Sequence, residues 1–100
     1  MRIPHGAKNS GILTADTTVK STEGVVLAVV IAFKGVTAGE FCTIQDGTDG
    51  TASDILMAIF DGTDGTIVLN LGFYGIYFMN GIRFNKGGTA GSVFATVIYE

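Results

Sequence analysis

Residues 24–33 (GVVLAVVIAF) form the longest apolar run in the chain, and this run limits the possible folds more than any other feature. Val25, Leu27, Val29, Ile31 and Phe33 alternate with Val26, Ala28, Val30 and Ala32, so both faces of an extended segment would be apolar. A strand that meets water on one side alternates apolar with polar residues instead. β-Branched residues dominate the run and it stops at Lys34-Gly35. It is also far short of the roughly 20 residues that a bilayer-spanning helix needs. The pattern predicts a central strand with one face in the domain core and the other against a second surface. The smaller-residue face, Val26, Ala28, Val30 and Ala32, is the expected subunit interface, with Phe73 and Tyr77 of the aromatic segment 72–79 as its alternative.

Composition points the same way. One hundred residues suffice for a single modest core. Apolar residues make up 47% and charged residues only 15%, the reverse of a disordered chain. That much apolar material is hard to cover within one small subunit, which favours homo-oligomerisation. Arg2 and Lys8 give residues 1–11 a charge of +2, so residues 12–100 carry −5 of the net −3. An acidic body argues against nucleic acid as a partner. Nothing in the chain suggests a membrane partner. Cys42 is the sole cysteine, which rules out an internal disulfide and a cysteine-based zinc site. In an apolar strand it is expected to be a small buried hydrophobe. No apolar segment of signal-peptide type follows Arg2, so synthesis in the cytosol is expected.

Residues 1–11 (MRIPHGAKNSG) hold the only Pro and the only His and show no period. They read as an extended arm, with Ile3 biased towards β or polyproline geometry by Pro4. The arm is either a frayed end or a segment that orders on a neighbouring protein, through Arg2, Ile3, Pro4 and His5. Residues 12–100 read as one domain of short strands with turn signals about every 8–12 residues. Strands are expected over 12–20, 24–33, 40–45, 55–60, 66–71, 72–79, 82–84 and 92–99, with Gly75 marking a bulge or a close backbone approach. Asn80-Gly81 is a type I′ hairpin signal between two of them. Seven to nine short strands without a substantial helix predict an all-β, antiparallel β-sandwich of jelly-roll-like type.

Asp-Gly-Thr-Asp-Gly-Thr occurs twice, at 46–51 and 61–66. Asp caps its own backbone and Gly takes positive φ, so turn chemistry accounts for both copies. A calcium site assembled from Asp46, Asp49, Asp61 and Asp64 is the alternative, should the two turns lie at the same end of neighbouring strands. No closing Glu follows at the spacing of a helix-flanked calcium loop, and no cofactor is expected. Catalysis is not expected either, since the only His lies in the arm and neither a serine elbow nor a phosphate loop is present. The aromatic residues Phe73, Tyr74, Tyr77, Phe78, Phe84, Phe94 and Tyr99 are expected mainly in the core, with a sugar-stacking platform as the second reading.

Four strings carry a family likeness: Thr-Ala-Asp-Thr-Thr-Val-Lys at 14–20, the two Asp-Gly-Thr-Asp-Gly-Thr turns, Gly-Ile-Arg-Phe at 81–84, and Ala-Thr-Val-Ile-Tyr-Glu at 95–100. Together they resemble small all-β virion proteins of tailed bacteriophages, the group that includes capsid cement (decoration) proteins. The resemblance implies a β-sandwich that trimerises at capsid symmetry axes and bridges subunits of the major capsid protein. It also implies a virion location and a contact role for the N-terminal arm. No functional residue carries over, because such proteins act by surface complementarity. The alternative is a ligand-binding β-module, for carbohydrate or calcium, on a tail or host-recognition part of a virion.

Overall fold

The computed structural model describes residues 6–100, so the arm residues Arg2, Ile3, Pro4 and His5 lie outside the described residues. The fold is all-β, with nine strands and no helix among the described residues. In chain order the strands are β1 (Lys8–Asn9), β2 (Thr17–Lys20), β3 (Gly24–Lys34), β4 (Phe41–Asp46), β5 (Ser53–Ile59), β6 (Gly65–Asn70), β7 (Ile76–Phe78), β8 (Ile82–Asn85) and β9 (Ser92–Tyr99). They form two antiparallel sheets. The first has the order β1-β9-β3-β6, with β7 also paired to β3; the second has the order β2-β8-β4-β5. The shortest dimension of the molecule, 19 Å, fits two layers about 10 Å apart plus their side chains.

β3 is the longest strand and the centre of the first sheet. β9 covers one of its edges from Val26 to Lys34. The other edge is shared end to end, with β7 on residues 24–26 and β6 on residues 28–33. Its core face is Val26, Val29 and Ile31, packed with Val93, Ala95 and Val97 of β9. From the second sheet, Cys42, Ile44, Ala58, Ile82 and Phe84 close the core. Phe33 of β3 and Phe60 just beyond β5 meet across the sheets at 4.6 Å between ring centroids.

A β-bulge corrects the period-2 reading of this strand. Val26 pairs with Tyr99 and Ala28 with Ile98, so Leu27 is an extra residue opposite a single step of β9. An inserted residue reverses the alternation beyond it. Val26 is therefore fully buried on the core side with Val29 and Ile31, and it is not part of the outer face that carries Ala28, Val30 and Ala32.

The Asn80-Gly81 hairpin is overturned as well. β7 belongs to the first sheet and β8 to the second, so the chain crosses between layers at this point. A type I′ turn needs positive φ at both central residues. No non-glycine described residue has it. Gly81 (φ 144°) is required by crowding, since a Cβ there would lie 2.9 Å from the carbonyl oxygens of Gly47 and Lys20. Gly75 does mark a close approach: at φ 68° a Cβ would overlap the Val26 carbonyl oxygen. Two other boundaries differ from expectation. Regular pairing of the second strand begins at Thr17, while Leu13 makes only an isolated bridge to Ala95. Part of the arm, Lys8–Asn9, pairs with β9.

Candidate functional site

The outward face of the first sheet is built by register. On β3 it carries Ala28, Val30 and Ala32. Opposite these on β9 stand Ile98, Thr96 and Phe94, and opposite them on β6 stand Asn70, Val68 and Thr66. An apolar patch crosses the middle of this grid, with Val30 37% exposed, Phe94 45% and Val68 63%, and Thr96 is the one polar residue of the central row. Its margin is polar, with Asn70, Thr66, Lys34 and Ser92. Near the β7 end Tyr77, paired with Val25, extends the same face and is 55% exposed. Its hydroxyl donates a hydrogen bond to Glu23, which raises the pKa of the phenol. The fold thus brings Ala28, Val30, Ala32 and Tyr77 onto one surface. Phe73 is exposed in the turn before β7, edge-on to Tyr74 at 5.6 Å.

The expectation that the aromatic residues are mainly core is corrected for four of them. Phe78 and Phe84 are fully buried, but Phe73, Tyr74, Tyr77 and Phe94 are exposed. Phe94 was legible in principle: in β9 it alternates with Val93 and Ala95, so it must take the opposite face. The turn 72–75 interrupts the expected strand over 72–79, which shortens it to Ile76–Phe78 and frees Phe73 and Tyr74 from the sheet pattern.

The two Asp-Gly-Thr-Asp-Gly turns lie at opposite ends of β5, whose seven residues span roughly 20 Å. A calcium site drawing on both is therefore not assembled. Each carboxylate instead holds backbone. Thr51 N–H and Oγ1 donate to Asp49 Oδ1 at 2.9 and 2.6 Å, and Thr63 repeats the arrangement on Asp61 at 3.0 and 2.7 Å. Asp46 accepts from the N–H groups of Met79 and Asn80, which secures the crossing into β8. Asp64 accepts from Gly35 N–H at 2.9 Å. Among the described residues no three His, Cys, Asp or Glu side chains converge as a metal site. Cys42 is buried, and burial pushes its thiol up to about 11, so it is no nucleophile at neutral pH.

Hydrogen bonding also holds three carboxyls below their ordinary values. Glu40 accepts from Thr37 N–H at 2.7 Å and Ala90 N–H at 2.8 Å, and these two bonds are the main cause of its shift. Asp49 and Asp61 are lowered by their threonine partners, the side-chain hydroxyl foremost. A carboxyl with a depressed folded pKa contributes stability that is complete above its unfolded value. That contribution is lost as pH falls through the folded one. The melting temperature should therefore hold steady from pH 7 to the ordinary values, 4.5 for Glu and 3.8 for Asp, and fall below them. Circular-dichroism melts across that range check this, and Glu40→Gln should flatten the fall. An unchanged slope in that variant would remove Glu40 from the account.

No protein-family model, curated protein or solved structure matches the chain.

Proposed function

We propose that this protein is a non-enzymatic structural subunit that self-associates through the outward face of its first sheet. It would act, as the resemblance implies, as a trimeric cement protein bridging coat subunits of a bacteriophage capsid. The observation that carries the self-association is the apolar centre of Val30, Val68 and Phe94 within a polar rim. A contiguous apolar surface of this kind marks an interaction site. Its small residues, Ala28 and Ala32, let a second backbone approach closely. Aromatic side chains such as Phe94 and Tyr77 are enriched at interfaces. No charged side chain interrupts the centre of the grid.

Light scattering at micromolar concentration tests the reading. The wild-type chain should give a multiple of 10.4 kDa, three-fold for a trimer. Placing two lysines on the face, Val30→Lys with Val68→Lys, should weaken association by at least about a thousandfold, ~4 kcal/mol. Both positions are exposed in the single subunit, so the variant should remain folded. A monomeric wild-type chain, or a double variant of unchanged mass, would refute self-association through this face.

A further inference from the structure

The second sheet carries a different kind of surface on its outward side. Phe41, Thr43 and Gln45 alternate along β4 and share that side. An outward face is normally wet, yet Thr43 and Gln45 are each only 2% exposed. Segments 47–52 and 86–91 flank them and leave a groove of about 560 Å3 above the strand, lined by Phe41, Gln45, Asp54, Asn85 and Thr89 among others. This lies within the roughly 300–1,000 Å3 of ordinary ligand clefts.

The groove is held in shape before any ligand arrives. Thr89 Oγ1 donates to the Phe41 carbonyl at 2.9 Å, and Ala90 N–H is held by Glu40, which fixes one wall. On the other side Gln45 Nε2 donates to the Ala52 carbonyl at 3.3 Å and to Asp54 Oδ1 at 3.0 Å. Gln45 Oε1 accepts from Arg83 at 2.9 Å, so its amide cannot rotate freely. Asn85 Oδ1 accepts from Gly87 N–H at 3.1 Å, which presents the side-chain amide at a set angle. Between Phe41 and Gln45, Thr43 holds the one buried side-chain polar atom without a hydrogen-bond partner among the described residues, its hydroxyl. Thr43 does not itself line the groove, so this hydroxyl is not a contact for a ligand there.

The lining chooses the ligand. It contains the carboxylates of Glu40 and Asp54, and the cations beside it are offset, Arg83 by Gln45 and Asp16 and Lys86 by Glu40, so the groove carries no excess of positive charge for phosphates, nucleic acid or acidic glycans. Polar amides and exposed backbone disfavour a purely apolar molecule. What remains is a neutral, polyhydroxylated ligand. Phe41, 47% exposed, offers a π-face to the apolar C–H face of a pyranose ring. We propose that this groove binds a neutral carbohydrate chain, with Phe41 packed on one sugar ring and Asp54 and Asn85 hydrogen-bonding its hydroxyls. The site is on the opposite sheet from the self-association face, so the two can be tested separately.

Amide chemical-shift mapping on the isotope-labelled full chain is the test, with maltohexaose, cellohexaose and chitohexaose as neutral probes and dextran sulfate as the anionic one. At least one neutral probe should bind at millimolar concentration or below and shift Phe41, Gln45, Asp54 and Asn85. Phe41→Ala and Asp54→Asn, both at exposed positions, should each weaken that binding about tenfold or more with the melting curve preserved. The Val30→Lys, Val68→Lys variant should bind as the wild type does. The proposal is overturned by no shifts with any neutral probe, by shifts confined to Phe73 and Tyr74, by binding of dextran sulfate alone, or by binding that neither groove variant weakens.

Discussion

Lysine in place of Val26 will abolish the cooperative unfolding transition, while lysine in place of Val30 will leave a folded chain. The two residues are four apart in one strand and chemically identical, and strict alternation would put them on the same side. The bulge at Leu27 separates them. Val26 is fully enclosed among Phe78, Ile82 and the β9 core residues, and Val30 is 37% exposed on the outward face. An ammonium group at position 26 has no described acidic partner on the core side and must be desolvated, which costs several kcal/mol even after relaxation. The lost valine packing adds to this. A domain of this size has about 5–15 kcal/mol in total, so most of its stability is removed. At position 30 the lysine reaches water. Far-ultraviolet circular dichroism with a thermal ramp distinguishes the two, and near-equal melting of the variants would mean that the bulge is absent from the folded protein.

The second large effect is expected at Phe84. It lies in β8, between β2 and β4 in the second sheet, and is fully buried. Phe84 pairs with Thr17 on one side and Ile44 on the other, and its ring fills the space between the layers. Phe84→Ala removes a buried ring and leaves a cavity that strands fixed on both sides cannot close. Such changes cost roughly 3–5 kcal/mol. Chemical denaturation should show that loss as a lower midpoint with a similar slope. A cost below about 1 kcal/mol would contradict the packing described for this sheet.

Much of the architecture is readable from local signals. The apolar run at 24–33, the Asp-Gly turns and the β-branched segments locate β3, β4, β5, β6, β8 and β9 to within a few residues. These signals suffice because a strand's demand for apolar, β-branched residues and a turn's demand for Gly and Asp act over a handful of neighbouring positions. The errors share a different cause. The bulge at Leu27 depends on what Tyr99 and Ile98 pair with, some seventy residues away. Asn80-Gly81 has the dipeptide of a tight hairpin, but the flanking strands find their partners in separate sheets. Tertiary pairing overrode the local preference there. Neither the separation of the Asp-Gly-Thr repeats nor the exposure of Phe73, Tyr74 and Tyr77 can be read before the strand order is known.

The candidate surfaces divide along the same line. That β3 carries apolar side chains on both faces follows from its residues alone, since alternation in an extended chain is a matter of bond geometry. Which of those side chains meet the core, and which remain for a neighbour, follows only once β9, β6 and β7 are in register against it. The groove over β4 was invisible in one dimension, because its walls come from segments 47–52 and 86–91 and its floor from a strand that shows no special pattern. Side-chain chemistry and backbone preference act locally and are written in the chain. Register, layer and enclosure depend on contacts between distant segments, and these exist only when the sheets have formed.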